Sequence, residues 1–216
     1  FRNCTSLASV TIPDSVTSFG GGATFQDCSN LASATLPSGL TAVPGWMFQN
    51  TKLTSFTIPA GVTSIGTSAF NGCSLLSSVP LPSGLTSIGN TAFQNCTSLT
   101  SITIPSAVTS IGNSAFLGCT ALTSITLPSS LTSLGTSTFS GCTGLASVYF
   151  QGNAPTASSN TFTSVTAPGY RASDATGWSS PFYGLTMTAQ SRPTITTPTS
   201  ASIAATTATL GGNVTA

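Results

Sequence analysis

The stretch "LTSITIPSAVTSIGNSAFLGC", residues 99–119, is followed by "LTSITLPSSLTSLGTSTFSGC", residues 122–142. The second is the first rewritten 23 residues later. Aligned on phenylalanine, the copies fall at Phe1, Phe25, Phe48, Phe70, Phe93, Phe116 and Phe139, in steps of 24, 23, 22, 23, 23 and 23. A period of this size marks a solenoid, in which each layer must fit the layer below it. The consensus is L-x-S-[IV]-x-[IL]-P-x-x-[LV]-T-S-[IL]-G-x-x-[AT]-F-x-x-C-x-x.

Each column of the repeat has a physical reading. In "SITIP", Ile102 and Ile104 alternate with Ser101 and Thr103, the period of a strand with one buried face. Pro105 lacks an N–H and ends that strand. "AVTSIG" then turns Val108 and Ile111 to the same interior, and Gly112 is expected at a corner with positive φ. "NSAFLGC" closes the coil, with Ala115, Phe116 and Cys119 pointing in and Gly118 easing the bend. One coil cannot bury its own apolar edges. Stacked coils bury them against each other, about 4.8 Å apart where strands pair. Phe25, Phe48, Phe70, Phe93, Phe116 and Phe139 form one predicted ladder, and Cys28, Cys73, Cys96, Cys119 and Cys142 another. The fold class read from this is a repeat solenoid, mainly β.

"LTSITIPSAVTSIGNSAFLGCTA" resembles the BspA-type bacterial leucine-rich repeat, over residues 1 to about 150. The resemblance implies a right-handed array of ~23-residue coils with a parallel sheet on one side. It also implies an exported surface protein that binds matrix proteins, other cells or glycans.

The repeat has departures. Gly20-Gly21-Gly22 adds a residue, read as a bulged corner. "VPGWMFQNTKL", residues 43–53, drops one residue and the cysteine, and introduces Trp46, Met47 and Lys52. This is either a locally repacked corner, with Trp46 over the gap, or an exposed aromatic contact patch. Pro80 replaces an outward threonine and weakens the strand ladder there. The six cysteines share one column and leave two readings, disulfides between adjacent rungs or a file of buried thiols acting as small hydrophobes.

From Leu145 the rhythm changes, and Tyr149 stands where threonine stood. The predicted division is a solenoid over 1–149, a C-terminal cap over 150–190, and a tail over 191–216. Tyr170, Trp178, Phe182 and Tyr183 suit a cover for the solenoid's end, or alternatively a glycan-stacking platform. "SRPTITTPTS" reads as a linker. "ASIAATTATLGGNVTA" resembles the first strands of an incomplete fibronectin type III or immunoglobulin-like module. Phe1 already stands inside the repeat, so the chain reads as part of a longer one.

Charged residues are 3% of the chain, against roughly 25% in ordinary domains. Four scattered basic residues argue against nucleic acid and against anionic membranes. The sequence has no apolar run long enough to cross a bilayer. There is no His and no Glu, and the acids fall apart, Asp14 and Asp27 at different columns of one coil and Asp174 in the cap region, so no constellation for acid–base catalysis is present in the sequence. Abundant serine lacks a base to activate it, so no enzyme is expected, and no cofactor or metal motif is present. The neutral surface suits an extracellular or cell-surface protein.

The candidate partner-binding residues are Ser101, Thr103, Ser124, Thr126 and Tyr149 on the strand face, with Trp46, Met47 and Lys52 at the irregular corner. The expected partner is a protein or carbohydrate on a cell or matrix surface. The alternative is self-association into a fibre or sheath, and a distant third is ice binding through the Ser/Thr ladders.

Overall fold

A computed structural model describes residues 1–190. The linker and the module expected over 191–216 lie outside the described residues. Among these there is no helix. The strands are β1 (Ser9–Thr11), β2 (Ser33–Thr35), β3 (Ala42–Val43), β4 (Ser64–Ile65), β5 (Ser87–Ile88), β6 (Ser110–Ile111), β7 (Ser124–Leu127), β8 (Ser133–Leu134), β9 (Ser147–Phe150), β10 (Gly169–Ala172) and β11 (Met187–Gln190). Every pair of these that meets is parallel. The chain is therefore a stack of superimposed coils.

Three sides make up each coil. The T-S-I side carries the unbroken five-stranded sheet β3-β4-β5-β6-β8. Its register sets serine on serine and Ile65 on Ile88 on Ile111 on Leu134. The S-x-T side pairs only in blocks, β1 with β2 and β7-β9-β10-β11. The third side carries the phenylalanines. There the rings stack from Phe1 to Phe162, with centroids 5.2 to 5.8 Å apart along the column. Phe48, Phe70, Phe93, Phe116 and Phe139 are fully buried. Near-parallel planes at this spacing add to the burial of apolar area.

Backbone bonds tie the phenylalanine side without strands. Phe48 N–H donates to Ala69 C=O at 2.8 Å, Phe70 to Ala92 at 2.8 Å, and Phe93 to Ala115 at 2.8 Å. This direction needs left-handed residues two before and two after each ring. Ser68, Thr91 and Ser114 take φ of 53° to 55°, and Asn50, Gly72, Asn95 and Gly118 take 58° to 73°. From Phe1 to Phe139 the second position is filled by Gly, Asn or Asp, the residues that tolerate this region best, and after Phe162 by Ser164.

The expectation for Gly112 is corrected here. It has no positive φ; its column is glycine because successive coils touch there. A Cβ on Gly112 would lie 2.6 Å from the Asn90 backbone nitrogen, and one on Gly89 would lie 2.8 Å from the Gly66 carbonyl carbon. Gly118 is the one that uses the left-handed region, with φ 73°.

The coil geometry continues beyond residue 149. Phe162 occupies the ring column against Phe139 at 5.5 Å, and β10 pairs with β9 in register. Phe150, Trp178 and Phe182 then form an aromatic cluster, with ring centroids 4.6 to 5.8 Å apart, at this end of the core.

Two substitutions separate the ring column from the glycine column. Phe93→Ala removes a buried ring with neighbours on both sides and is expected to lower stability by about 3–5 kcal/mol. Gly112→Ala is expected to cost about 1–3 kcal/mol through overpacking against backbone. Urea unfolding followed by circular dichroism measures both.

Candidate functional site

The outward side chains of the strand columns are mostly hydroxyls, but the two threonine columns differ in what those hydroxyls do. On the T-S-I side, Thr63, Thr86, Thr109, Thr132 and Thr156 each donate Oγ1–H to the carbonyl of the threonine one coil back, at 3.0 to 3.4 Å. Thr41 is the acceptor for Thr63. These hydroxyls are already used by the fold. On the S-x-T side, Thr11, Thr35, Thr57, Thr103 and Thr126 are exposed and make no side-chain hydrogen bond within the described residues. The same holds for Ser101 and Ser124. The reason is local: the T-S-I threonines stand at the edge of their strands, where a carbonyl of the previous coil is within reach. The S-x-T residues alternate with buried neighbours and point at solvent.

This face is also the one with gaps. No backbone hydrogen bond joins residues 31–36 to 53–58, or 76–82 to 99–105, among the described residues. At the first gap the large ring of Phe56 wedges between Phe48 and Phe70, at 4.9 and 5.3 Å, where other coils carry an aliphatic or Ala34. At the second, Pro80 supplies no N–H. Shallow clefts of about 380 Å³, between Ser33–Thr35 and Ser55–Thr57, and about 250 Å³, beside Pro80, Ser101 and Thr103, open at these seams.

Of the strand-face candidates, Ser101 and Thr103 line the second cleft, and Ser124 and Thr126 stand on β7. Tyr149 is opposite Thr126 in register, 38% exposed, and its ring stacks on Tyr170 at 5.0 Å. The sequence marked both tyrosines but assigned them to different parts of the molecule. The signal that joins them is the S-x-T column, once the strand at Gly169–Ala172 is aligned to Ser147–Phe150.

The corner candidates do not form one patch. Trp46 is 45% exposed and lies along Gly22, whose added Cβ would sit 3.2 Å from its ring. Lys52 donates from Nζ to Asn30 Oδ1 at 2.9 Å, beside the shortened turn. Met47 is corrected: it is fully buried and cannot touch a partner. It stands one residue before the ring, where Ala69, Ala92 and Ala115 stand in later coils, and its flexible thioether fills the extra space. Thr51 replaces the missing cysteine, buried, donating to Phe48 C=O at 2.9 Å.

All six cysteines are free thiols, and only Cys4 is exposed. The buried S–H groups donate to the phenylalanine carbonyl one coil back, Cys73 to Phe48 at 3.0 Å and Cys119 to Phe93 at 3.1 Å. Burial pushes Cys73 up to about 11 and Cys142 up to about 12, and raises Cys96 and Cys119 strongly as well. Their file is packing, with a sulfur donor in each layer that carries a buried cysteine. No helix among the described residues is long and apolar enough to cross a membrane.

The sequence profile of the BspA type Leucine rich repeat region matches residues 1–109 and 68–167, in six copies. The chain belongs to this family. No curated protein sequence matches it. Among solved structures it is similar to a leucine-rich repeat protein from Bacteroides ovatus, at 30% identity and a TM-score of 0.68, over 79% of this chain and 51% of that one. The T. pallidum leucine-rich repeat protein is 29% identical with a TM-score of 0.51, over 66% and 58% of the two chains. The pneumococcal vaccine antigen PcpA shares the fold at 20% identity and a TM-score of 0.57, over 78% and 51%. This chain thus aligns with between one half and three fifths of each of these proteins.

The thiol column has a measurable consequence. In the folded protein at pH 8 a colorimetric thiol reagent is expected to react promptly with Cys4 alone, and with all six after denaturation. The folded state holds the buried thiol protons above the ordinary value of 9.0, so the unfolded chain releases them first. Stability is therefore expected to be level with respect to these groups below pH 9.0 and to fall as pH rises toward about 11. Urea midpoints across that range measure the slope.

Proposed function

We propose that this chain is a non-enzymatic interaction module on a cell surface or in the extracellular space, binding its partner through the S-x-T face. The observation that carries the reading is the contrast between the two threonine columns. One column's hydroxyls are consumed by the fold, and the other presents a plane of unengaged donors and acceptors at one-coil spacing. A partner that docks there meets groups already fixed in place by the stack, which lowers the ordering cost of binding. Membership in a leucine-rich repeat family supports the same reading. The low charge of the chain supports a partner held by neutral hydrogen bonds and contact area rather than by ion pairing.

The reading is tested with the full chain on surfaces coated with extracellular-matrix proteins and on intact cells. The double substitution Thr103→Arg and Thr126→Arg plants two bulky cations on the face without touching the core. Retention is expected to fall by about tenfold or more, with the circular dichroism melt unchanged. Trp46→Ala, on the other side of the coil, is the control for the corner. Binding that survives the arginines and is lost with Trp46→Ala would move the site to the corner. Light scattering after size exclusion is expected to give a monomer. Polymers that grow with concentration would favour a self-associating fibre instead.

A further inference from the structure

The C-terminal block of the S-x-T face differs from the rest in one respect. Its outward column reads Thr126, Tyr149, Tyr170 and Thr188, in register across β7, β9, β10 and β11. Tyr149 and Tyr170 stack on each other with planes 19° apart. One face of Tyr149 is therefore covered by Tyr170. The other looks along the column over the shorter Thr126, beside Ser124 and Ser147, whose hydroxyls make no hydrogen bond within the described residues. An aromatic plane standing next to a floor of fixed neutral hydroxyls is an amphipathic subsite, with one apolar wall and one polar floor.

We propose that this block binds an uncharged glycan, with a pyranose ring lying on the free face of Tyr149 and its hydroxyls bonded to Ser124 and Thr126. This rests on the S-x-T face being the interaction surface. A pyranose matches the subsite chemically: its axial C–H face is apolar and packs on an aromatic plane, and its rim carries hydroxyls that both donate and accept. The column carries no ammonium, guanidinium, imidazole or carboxylate group, so an anionic polysaccharide finds no counter-charge there. Arg171, the nearest cation in sequence, directs its guanidinium to the carbonyls of Ala172 and Ala175. A protein partner fits less well, because a protein interface is built around a desolvated apolar centre. Of the exposed large hydrophobics among the described residues, Phe1, Trp46, Leu75, Tyr149 and Tyr183, only Tyr149 stands in an outward column of this face.

The test uses the full chain in isothermal titration with neutral probes, namely cellohexaose, chitohexaose, laminarihexaose and mannohexaose, and with heparin as the anionic probe. At least one neutral hexasaccharide is expected to bind, with an affinity that changes less than about twofold between low and high salt. Tyr149→Thr restores the residue that other coils carry at this position, so the fold tolerates it. It is expected to weaken binding by about tenfold or more, while Tyr149→Phe stays within about threefold. Thr126→Val is expected to weaken it by about threefold or more. If no neutral probe binds at millimolar concentration, the glycan assignment is overturned. If matrix or cell binding nevertheless persists and is lost with Thr103→Arg and Thr126→Arg, the interaction face stands and its partner is a protein. Glycan binding indifferent to Tyr149→Thr would place the subsite elsewhere and overturn the assignment of Tyr149. Heparin bound more tightly than every neutral probe would overturn the uncharged class.

Discussion

Every layer of this protein rests on a copy of itself, and that condition governs the rest. Phe70 packs on Phe48 and Phe93, Ile88 on Ile65 and Ile111, and Cys96 bonds the carbonyl of Phe70. A side chain that fits one layer fits the next, so the same residue recurs at the same height in the coil. Stability comes as a sum of nearest-neighbour contacts, without the long-range convergence of a globular core. Where a layer departs from the pattern, the correction stays local. The short coil at Thr51-Lys52-Leu53 is answered by a buried hydroxyl at Thr51 and by Met47 in an alanine position, while the ring column passes through undisturbed.

The same condition decides which surfaces remain available to a partner. A hydroxyl that can reach the carbonyl of the previous coil is drawn into the stack, and five successive threonines on the T-S-I side have been. Those on the S-x-T side cannot reach, and so remain chemically open. This side is also where Phe56 and Pro80 interrupt the pairing, so its hydroxyls are arranged in blocks. The larger block is the four-stranded one, β7-β9-β10-β11, and it carries the tyrosine pair. Two columns with similar sequence thus divide the labour between holding the molecule together and facing outward.

Much of the architecture was legible in the sequence because a repeat states its own register. Once Phe70 aligns with Phe93, the stacking of Ile65 on Ile88 follows without further information. The face proposed for binding was legible in part: Ser101, Thr103, Ser124 and Thr126 were singled out by alternation and Tyr149 by standing in the threonine column, and all five side chains are exposed, the last three on β7 and β9. What the sequence could not tell apart were residues of like type with different surroundings. Gly112 and Gly118 read alike, yet one answers to close approach and the other to backbone angle. Met47 was grouped with Trp46 and Lys52 because all three enter at the irregular corner, yet Met47 is fully buried while Trp46 is 45% exposed. Phe162 and Tyr170 escaped the repeat because the intervening segments no longer follow the consensus, even though both still occupy its columns.

The backbone bonds on the phenylalanine side run from each layer to the one after it, as from Phe70 to Ala92. Those at the glycine column run the other way, as from Gly89 to Ile65 and from Gly112 to Ile88. An α-helix aligns all its peptide units and accumulates opposite partial charges at its two ends. Here the two walls of the rod carry peptide units with opposed axial polarity, so their contributions offset one another as layers are added. Lengthening such a rod therefore adds less to a voltage between its tips than the same run of aligned peptide units in a helix would.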